Sequence, residues 1–256
     1  MNDAASKLVL ITGASSGIGA ACARRFAADG ADLALWARRE ARLAELADEL
    51  SGSHGSAVRT AGVDVRDRAA VEAAAAELLE TATPDILVNN AGLAAGLATV
   101  QEGDPDHWDR MIDTNVKGLL YVSRSILPAM IEAGRGHVIN IGSIAGRQVY
   151  PMGNVYNATK FAVNALSQGM NLDVLGTPIR VSSIDPGHVG TEFARVRFDG
   201  DERKAGAVYD GFTPLRPEDV AETVAFVASR PPDVNITDVV MFSTAQRSAN
   251  HIHRER

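Results

Sequence analysis

One cysteine, Cys22, stands among 256 residues, so the chain can form no internal disulfide, in keeping with a reducing compartment. Cys22 falls inside a helical pattern, where a small core residue is the simpler reading than a reactive thiol. Apolar runs of about 20 residues, the length that spans a bilayer, are absent. Residues 1–7 lack the basic start and apolar core of a secretory leader. Both absences point to a soluble, cytoplasmic protein with no membrane partner. No basic stripe interrupts a formal net charge of -7, which argues against a nucleic-acid partner. Arg and Lys instead alternate with acids along residues 38–49, as on a solvated helix face. Repeats, low-complexity tracts and linker-like composition shifts are also missing. A chain of this length, 46% hydrophobic, suits one α/β domain over residues 1–256.

What is present is alternation. Strands are expected near residues 8–12, 32–36, 58–63, 85–89, 137–142, 179–184 and 236–242, with helical patterns between them. Such alternation implies an α/β fold, one doubly wound parallel sheet of about seven strands with helices on both faces. Its ligand crevice should lie across the carboxyl ends of the strands. Residues 69–82, rich in Ala and Glu, form helix strongly. The rhythm breaks at Pro186 and Gly187, after which Gly190, Gly200, Gly206 and Gly211 are mixed with charges. Residues 187–212 therefore read as a loop with one or two short helices, the kind of excursion that often serves as a lid, the alternative being an inert surface loop. In the tail, residues 243–256, His251 and His253 lack a third ligand and read as a solvated or interface segment, with no metal implied.

Two segments carry chemistry. After the apolar run 8–11 comes Thr12, Gly13, Ala14, Ser15, Ser16, Gly17, Ile18, Gly19, then a helical pattern from about Ala20. Gly13 allows a tight turn, Gly17 lets the backbone approach a pyrophosphate, and Gly19 lets helix and strand pack closely, so that the helix N-terminus faces the phosphates. Further on, Tyr156, Asn157, Ala158, Thr159, Lys160 is preceded thirteen residues upstream by Ser143. Positions four apart share a helix face, so Lys160 would sit one turn from Tyr156 and favour its phenolate, bringing a group that ordinarily titrates near pH ~10 closer to neutrality. Ser143 could hydrogen-bond the substrate oxygen that Tyr156 protonates. Alternatively, Tyr156 and Ser143 are satisfied by backbone and Lys160 is solvated.

With these two segments, Asn89, Asn90, Ala91, Gly92 after the apolar run 85–88, and Asn115 within Asp113, Thr114, Asn115, Val116, Lys117, Gly118, the chain resembles the short-chain dehydrogenase/reductase family over nearly its whole length. The resemblance implies hydride transfer between a nicotinamide and a carbonyl or carbinol carbon. It makes Tyr156 the acid or base, Ser143 the holder of the reacting oxygen, Lys160 the partner of the nicotinamide ribose, and Asn115 the organiser of a water relay. It also implies that Ser15, Ser16, Ile18, Asn90, Asp64 and Val65 border the dinucleotide, with Pro186, Gly187, Val189 and Thr191 near the nicotinamide. Asp64 reads equally as an ordinary strand-end acid. Relatives form tetramers through two long helices, here near 105–133 and 154–175.

The second strand is followed by Ala37, Arg38 and Arg39, with no carboxylate to grip an adenosine ribose. A guanidinium there can hold a 2'-phosphate, so NADP(H) is favoured, although either arginine could instead cap the helix it opens and Glu40 is close by. Tyr150, Pro151, Met152, Gly153, Asn154, Val155, together with Thr191, Glu192, Phe193, the stretch Val196, Arg197, Phe198, and Thr244, Ala245, Gln246, resemble the branch that oxidises short 3-hydroxy acids such as serine and reduces semialdehydes or sulfoacetaldehyde. Arg147 and Arg197 are the candidates to hold an anionic substrate; each could alternatively face solvent or hold the lid. A 3-oxoacyl or broad ketone reductase and a non-catalytic dinucleotide-binding regulator are the other readings.

Overall fold

The computed structural model describes residues 7–255; the leader reading at residues 1–6 falls outside them. Seven parallel strands, β1 (Leu8–Thr12), β2 (Asp32–Ala37), β3 (Val58–Gly62), β4 (Ile86–Asn89), β5 (Gly136–Ile141), β6 (Ile179–Pro186) and β7 (Asp238–Met241), form one sheet in the order β3-β2-β1-β4-β5-β6-β7. Strands β1, β4 and β5 are buried almost throughout because helices cover both sides of the sheet. The chain winds outward from β1 to β3, then crosses to β4, so the order reverses between β1 and β4 and opens a crevice at their carboxyl ends.

One face is covered by α1 (Gly17–Ala28), α2 (Glu40–His54) and α9 (Pro217–Ala228), around Phe26, Leu43, Leu50 and Val224. The other is covered by α3 (Arg68–Thr81), α5 (Leu119–Glu132) and α6 (Asn154–Asp173), around Val71, Ile126, Met130 and Val163. Each helix contributes apolar residues at the spacing of one face and leaves charges outside. Asp67 starts α3 by accepting the amides of Ala69 and Ala70, satisfying two donors that have no partner inside the helix.

The expected helix over 105–133 is instead α4 (Pro105–Ile112), a wider π-helical stretch (Asp113–Gly118) and α5. Hydrophobic periodicity does not register one change of winding, and such stretches concentrate at functional sites. Here it carries Asn115. The edge strands β3 and β7 are shorter than expected and partly exposed, so their sequences lack the continuous apolar run that marks the inner strands. Residues 187–212 hold two short helices, α7 (Phe193–Arg197) and α8 (Glu202–Ala207), as expected.

Candidate functional site

The glycine turn leaves β1 at the crevice. Gly13 has φ +64, and a Cβ there would lie 2.9 Å from the Ala91 Cα. Asn90 closes the turn from β4: its Nδ2 donates to the carbonyls of Thr12 (2.9 Å) and Gly13 (3.2 Å), and its amide and that of Ala91 both donate to Thr12 Oγ1 at 3.0 Å. A Cβ on Gly19 would meet Asn90 Nδ2 and the Gly13 carbonyl at 2.5 Å, so the start of α1 can pack this closely only without a side chain. Asn89 faces the other way and donates to Ser123 Oγ and Asn140 Oδ1, tying β4 to β5 and α5.

Ser143 follows β5, and Tyr156 and Lys160 lie one turn apart on α6; all three are buried. The Ser143 amide donates to Asp185 Oδ1 at 3.1 Å, while its hydroxyl accepts from the Ala145 amide and also hydrogen-bonds the Tyr156 phenol. Lys160 Nζ donates to the Ile141 carbonyl at 2.8 Å. Asn115 grips the Leu93 backbone at both ends, accepting its amide and donating to its carbonyl at 2.8 Å, and also donates to Thr159 Oγ1. It thereby fixes the loop after β4 against α6.

Two expectations are corrected. The Tyr156 phenol is not brought toward neutrality: burial, the largest effect, drives it well above its ordinary value, against the opposing Arg197 guanidinium and Ser143 hydroxyl. Lys160 is itself pushed down to about 8 by burial, with the Asp185 carboxylate opposing. Nor does Arg147 face the crevice. Its Nε donates to Asp185 Oδ2 at 2.6 Å and its Nη2 is paired with Asp238, so two carboxylates already take its charge. Asp185 is wholly buried, and its remaining oxygen holds Ser183 Oγ and the Ser143 amide. Arg147 thus compensates the charge that anchors the Ser143 loop.

A cavity of about 490 Å³ runs along this edge. Ser15, Ser16, Gly17 and Ile18 line it at the turn, and Arg38, Arg39, Asp64 and Val65 line the end beside β2 and β3. Asn90, Ser143, Tyr156 and Lys160 form its middle. Pro186, Gly187, Val189, Thr191 and Arg197 close it from the β6 side. Gly19, Asn115 and Arg147 stand behind its wall. Asp64 is engaged by Arg66, in a local pair. Arg197 sits among aromatic rings, its Cζ 5.5, 5.2 and 5.7 Å from the ring centres of Tyr150, Tyr156 and Phe193. Its Nη2 donates to the Tyr150 hydroxyl, its buried Nε has no hydrogen-bond partner, and among the described residues it forms no ion pair.

Sequence reasoning passed over Asp185 and did not foresee that the tail packs against the site. Gln246, fully buried, accepts the His188 amide at 2.9 Å, and Ala249 and Ile252 reach the cavity wall. A buried glutamine in an otherwise polar tail gives no periodic signal. His251 Nδ1 pairs with Ser248 Oγ, and among the described residues no cluster of three or more metal-binding side chains occurs. No helix among them is long and apolar enough to cross a membrane.

The family model for short chain dehydrogenases matches residues 7–202. The chain belongs to the short chain dehydrogenase family. Within that family it is 48% identical over 250 residues to the NADP-dependent 3-hydroxy acid dehydrogenase of Salmonella typhi, covering 96% of this chain and 99% of the relative. It is 45% identical over 243 residues to sulfoacetaldehyde reductase 2 of Chromohalobacter salexigens, covering 94% and 96%. The closed form of a serine dehydrogenase complexed with NADP+ superposes with a TM-score of 0.91 at 46% identity, covering 97% of this chain and all of that one.

Two outcomes follow for this short chain dehydrogenase. Arg147→Met leaves the buried Asp185 carboxylate without its guanidinium, and urea unfolding should show a loss of about 2–4 kcal/mol; a change below about 0.5 kcal/mol contradicts the anchoring role. Lys160 behaves in the opposite sense. Below pH about 8 it is charged both folded and unfolded and its burial costs stability; between about 8 and 10.5 only the unfolded chain keeps the proton, so stability rises with pH. Lys160→Met should therefore raise stability at pH 7 by on the order of 1–3 kcal/mol, an advantage that shrinks toward pH 10. Unfolding curves at pH 7 and 9.5 with the same offset would exclude it.

Proposed function

We propose that the protein is an NADP(H)-dependent dehydrogenase that interconverts a short hydroxy acid, of the serine or 3-hydroxypropionate type, and its oxo acid or semialdehyde. The observation that carries this reading is Arg197: a guanidinium with no carboxylate partner among the described residues, lining the cavity with its Cζ 5.2 Å from the Tyr156 ring centre. A planar cation in that position reads carboxylate or sulfonate oxygens through paired hydrogen bonds. The same chemistry and the similarity to sulfoacetaldehyde reductase 2 support a short sulfonated aldehyde as the second substrate reading. A charged guanidinium among the rings disfavours an open apolar ketone pocket.

The residues fit the dinucleotide. The turn at Gly13 and Gly17 leaves room at the N-terminus of α1, where amides favour phosphate. Arg38 and Arg39 line the end of the cavity where a 2'-phosphate belongs, and Asp64 and Val65 lie at the adenine end. Bound at this site, NADPH would give the hydride in reduction and NADP+ would take it in oxidation. Tyr156, held protonated by burial, donates the proton in reduction, and its ionised form accepts the proton in oxidation. Ser143 holds the reacting oxygen, Lys160 binds the nicotinamide ribose, and Asn115 keeps the loop after β4 in place beside them. Residues 187–212 act as the lid of a single domain, 1–256. The enzyme works in the cytoplasm and as a homotetramer, the assembly being supported by the exposed Leu120 and Ile131 on α5 and Phe161 and Leu172 on α6.

Tyr156→Phe should lower kcat at least 10²-fold, the scale of a positioned proton transfer, with little change in NADP+ binding; activity within tenfold of wild type removes the assignment. Because oxidation needs the phenolate, its rate should climb above neutral pH. Arg197→Met should erase a preference of roughly 10- to 100-fold for the anionic substrate over the matching neutral alcohol. A preference that survives places the anion elsewhere.

A further inference from the structure

Glu192, the residue before α7, reaches across the cavity mouth to the opposite wall. Its Oε2 accepts from Arg39 Nη1 at 2.9 Å, and Arg42 Nη1 donates to both of its oxygens at 3.0 and 3.1 Å. Arg39 also donates through Nε to Ser15 Oγ at 3.1 Å and through Nη2 to Ser16 Oγ at 2.6 Å. Three of the five N–H groups of its guanidinium are thus spent inside the protein. Arg42 was not singled out by the sequence, because it lies among the charges of the first turn of α2 and its pairing with Glu192 spans 150 residues. Arg38, beside them, has no carboxylate partner among the described residues.

The charge on Glu192 is secure at any working pH. Hydrogen bonds from Arg39 and Arg42 hold its carboxyl down to about 2. An ionised carboxylate therefore already sits on Arg39, which lines the 2'-phosphate end of the cavity, and on Arg42 beside it. An arriving phosphate must share the Arg39 guanidinium with it and bear its repulsion, whereas a cofactor with a free 2'-hydroxyl brings no second negative charge there. The pair is partly exposed, with side-chain accessibilities of 43% for Arg39, 44% for Arg42 and 35% for Glu192. Water and salt screen it, which limits the effect to the scale of a surface ion pair.

We propose that Glu192, held by Arg39 and Arg42, is a specificity-determining residue that restrains the grip of Arg39 on the 2'-phosphate of NADP(H), and so narrows the discrimination between NADP(H) and NAD(H). This rests on the cofactor reading above. Titration calorimetry of the full chain with NADP+, NAD+ and adenosine 2'-monophosphate, for wild type and Glu192→Gln, separates the two. Glu192→Gln keeps the shape and the hydrogen-bonding oxygen but removes the charge. It should tighten NADP+ and adenosine 2'-monophosphate by about 3- to 10-fold, leave NAD+ within twofold, and lose most of the gain at high salt. Unchanged or weakened NADP+ binding, or equal tightening of NAD+, overturns the role of Glu192 while leaving the cofactor reading intact. Wild-type protein that binds NAD+ as tightly as NADP+ overturns both.

Discussion

The hydrogen bonds that Asn90 sends to Thr12 and Gly13 are the constraint on which the site depends. Parallel strands leave their carboxyl ends unpaired where the order reverses, and here one amide side chain spans that gap and satisfies two of those carbonyls. Its reach requires bare backbone at Gly13 and Gly19. The same closure aims the start of α1 at the cavity and sets β4, and through Asn89 also β5, at fixed height. Ser143 leaves β5 from that height, and the paired Asp185 then fixes its amide.

Electrostatics in the crevice is organised by burial more than by proximity. Tyr156 and Lys160, one turn apart, are both driven toward their neutral forms. A protonated phenol is the form that can donate a proton, and the Arg197 guanidinium and the Ser143 hydroxyl are the groups that favour its ionised form. The cations are distributed by task. Arg147 is consumed by Asp185 and Asp238, Arg39 and Arg42 share Glu192, and Arg197 keeps its charge for the cavity. Residues 187–212 carry Glu192 and Arg197 at the two ends of one short helix, so the two ends of the cavity are joined by a single turn.

Much of this was legible in the sequence because the signals were local. Continuous apolar runs marked β1, β4 and β5, and the glycine turn and the Tyr156 and Lys160 spacing each lie within eight residues. The π-helical stretch was not legible, since one change of winding within a periodic segment leaves the pattern of apolar residues almost unaltered. Arg147 was misjudged for a different reason: its partners are 38 and 91 residues away, and no local pattern announces them. The strand-end acid Asp185 looked ordinary until the fold buried it.

The central claim is that an anionic substrate is reduced or oxidised between Tyr156 and Arg197 with NADP(H) at the glycine turn. A steady-state comparison of short 3-hydroxy acids, hydroxysulfonates and the matching neutral alcohols, each with NADP+ and NAD+, tests it most directly. Highest kcat/KM for an anionic substrate with NADP+ is the predicted result. A neutral alcohol turned over as well as its acid, or NAD+ serving as well as NADP+, would contradict the account.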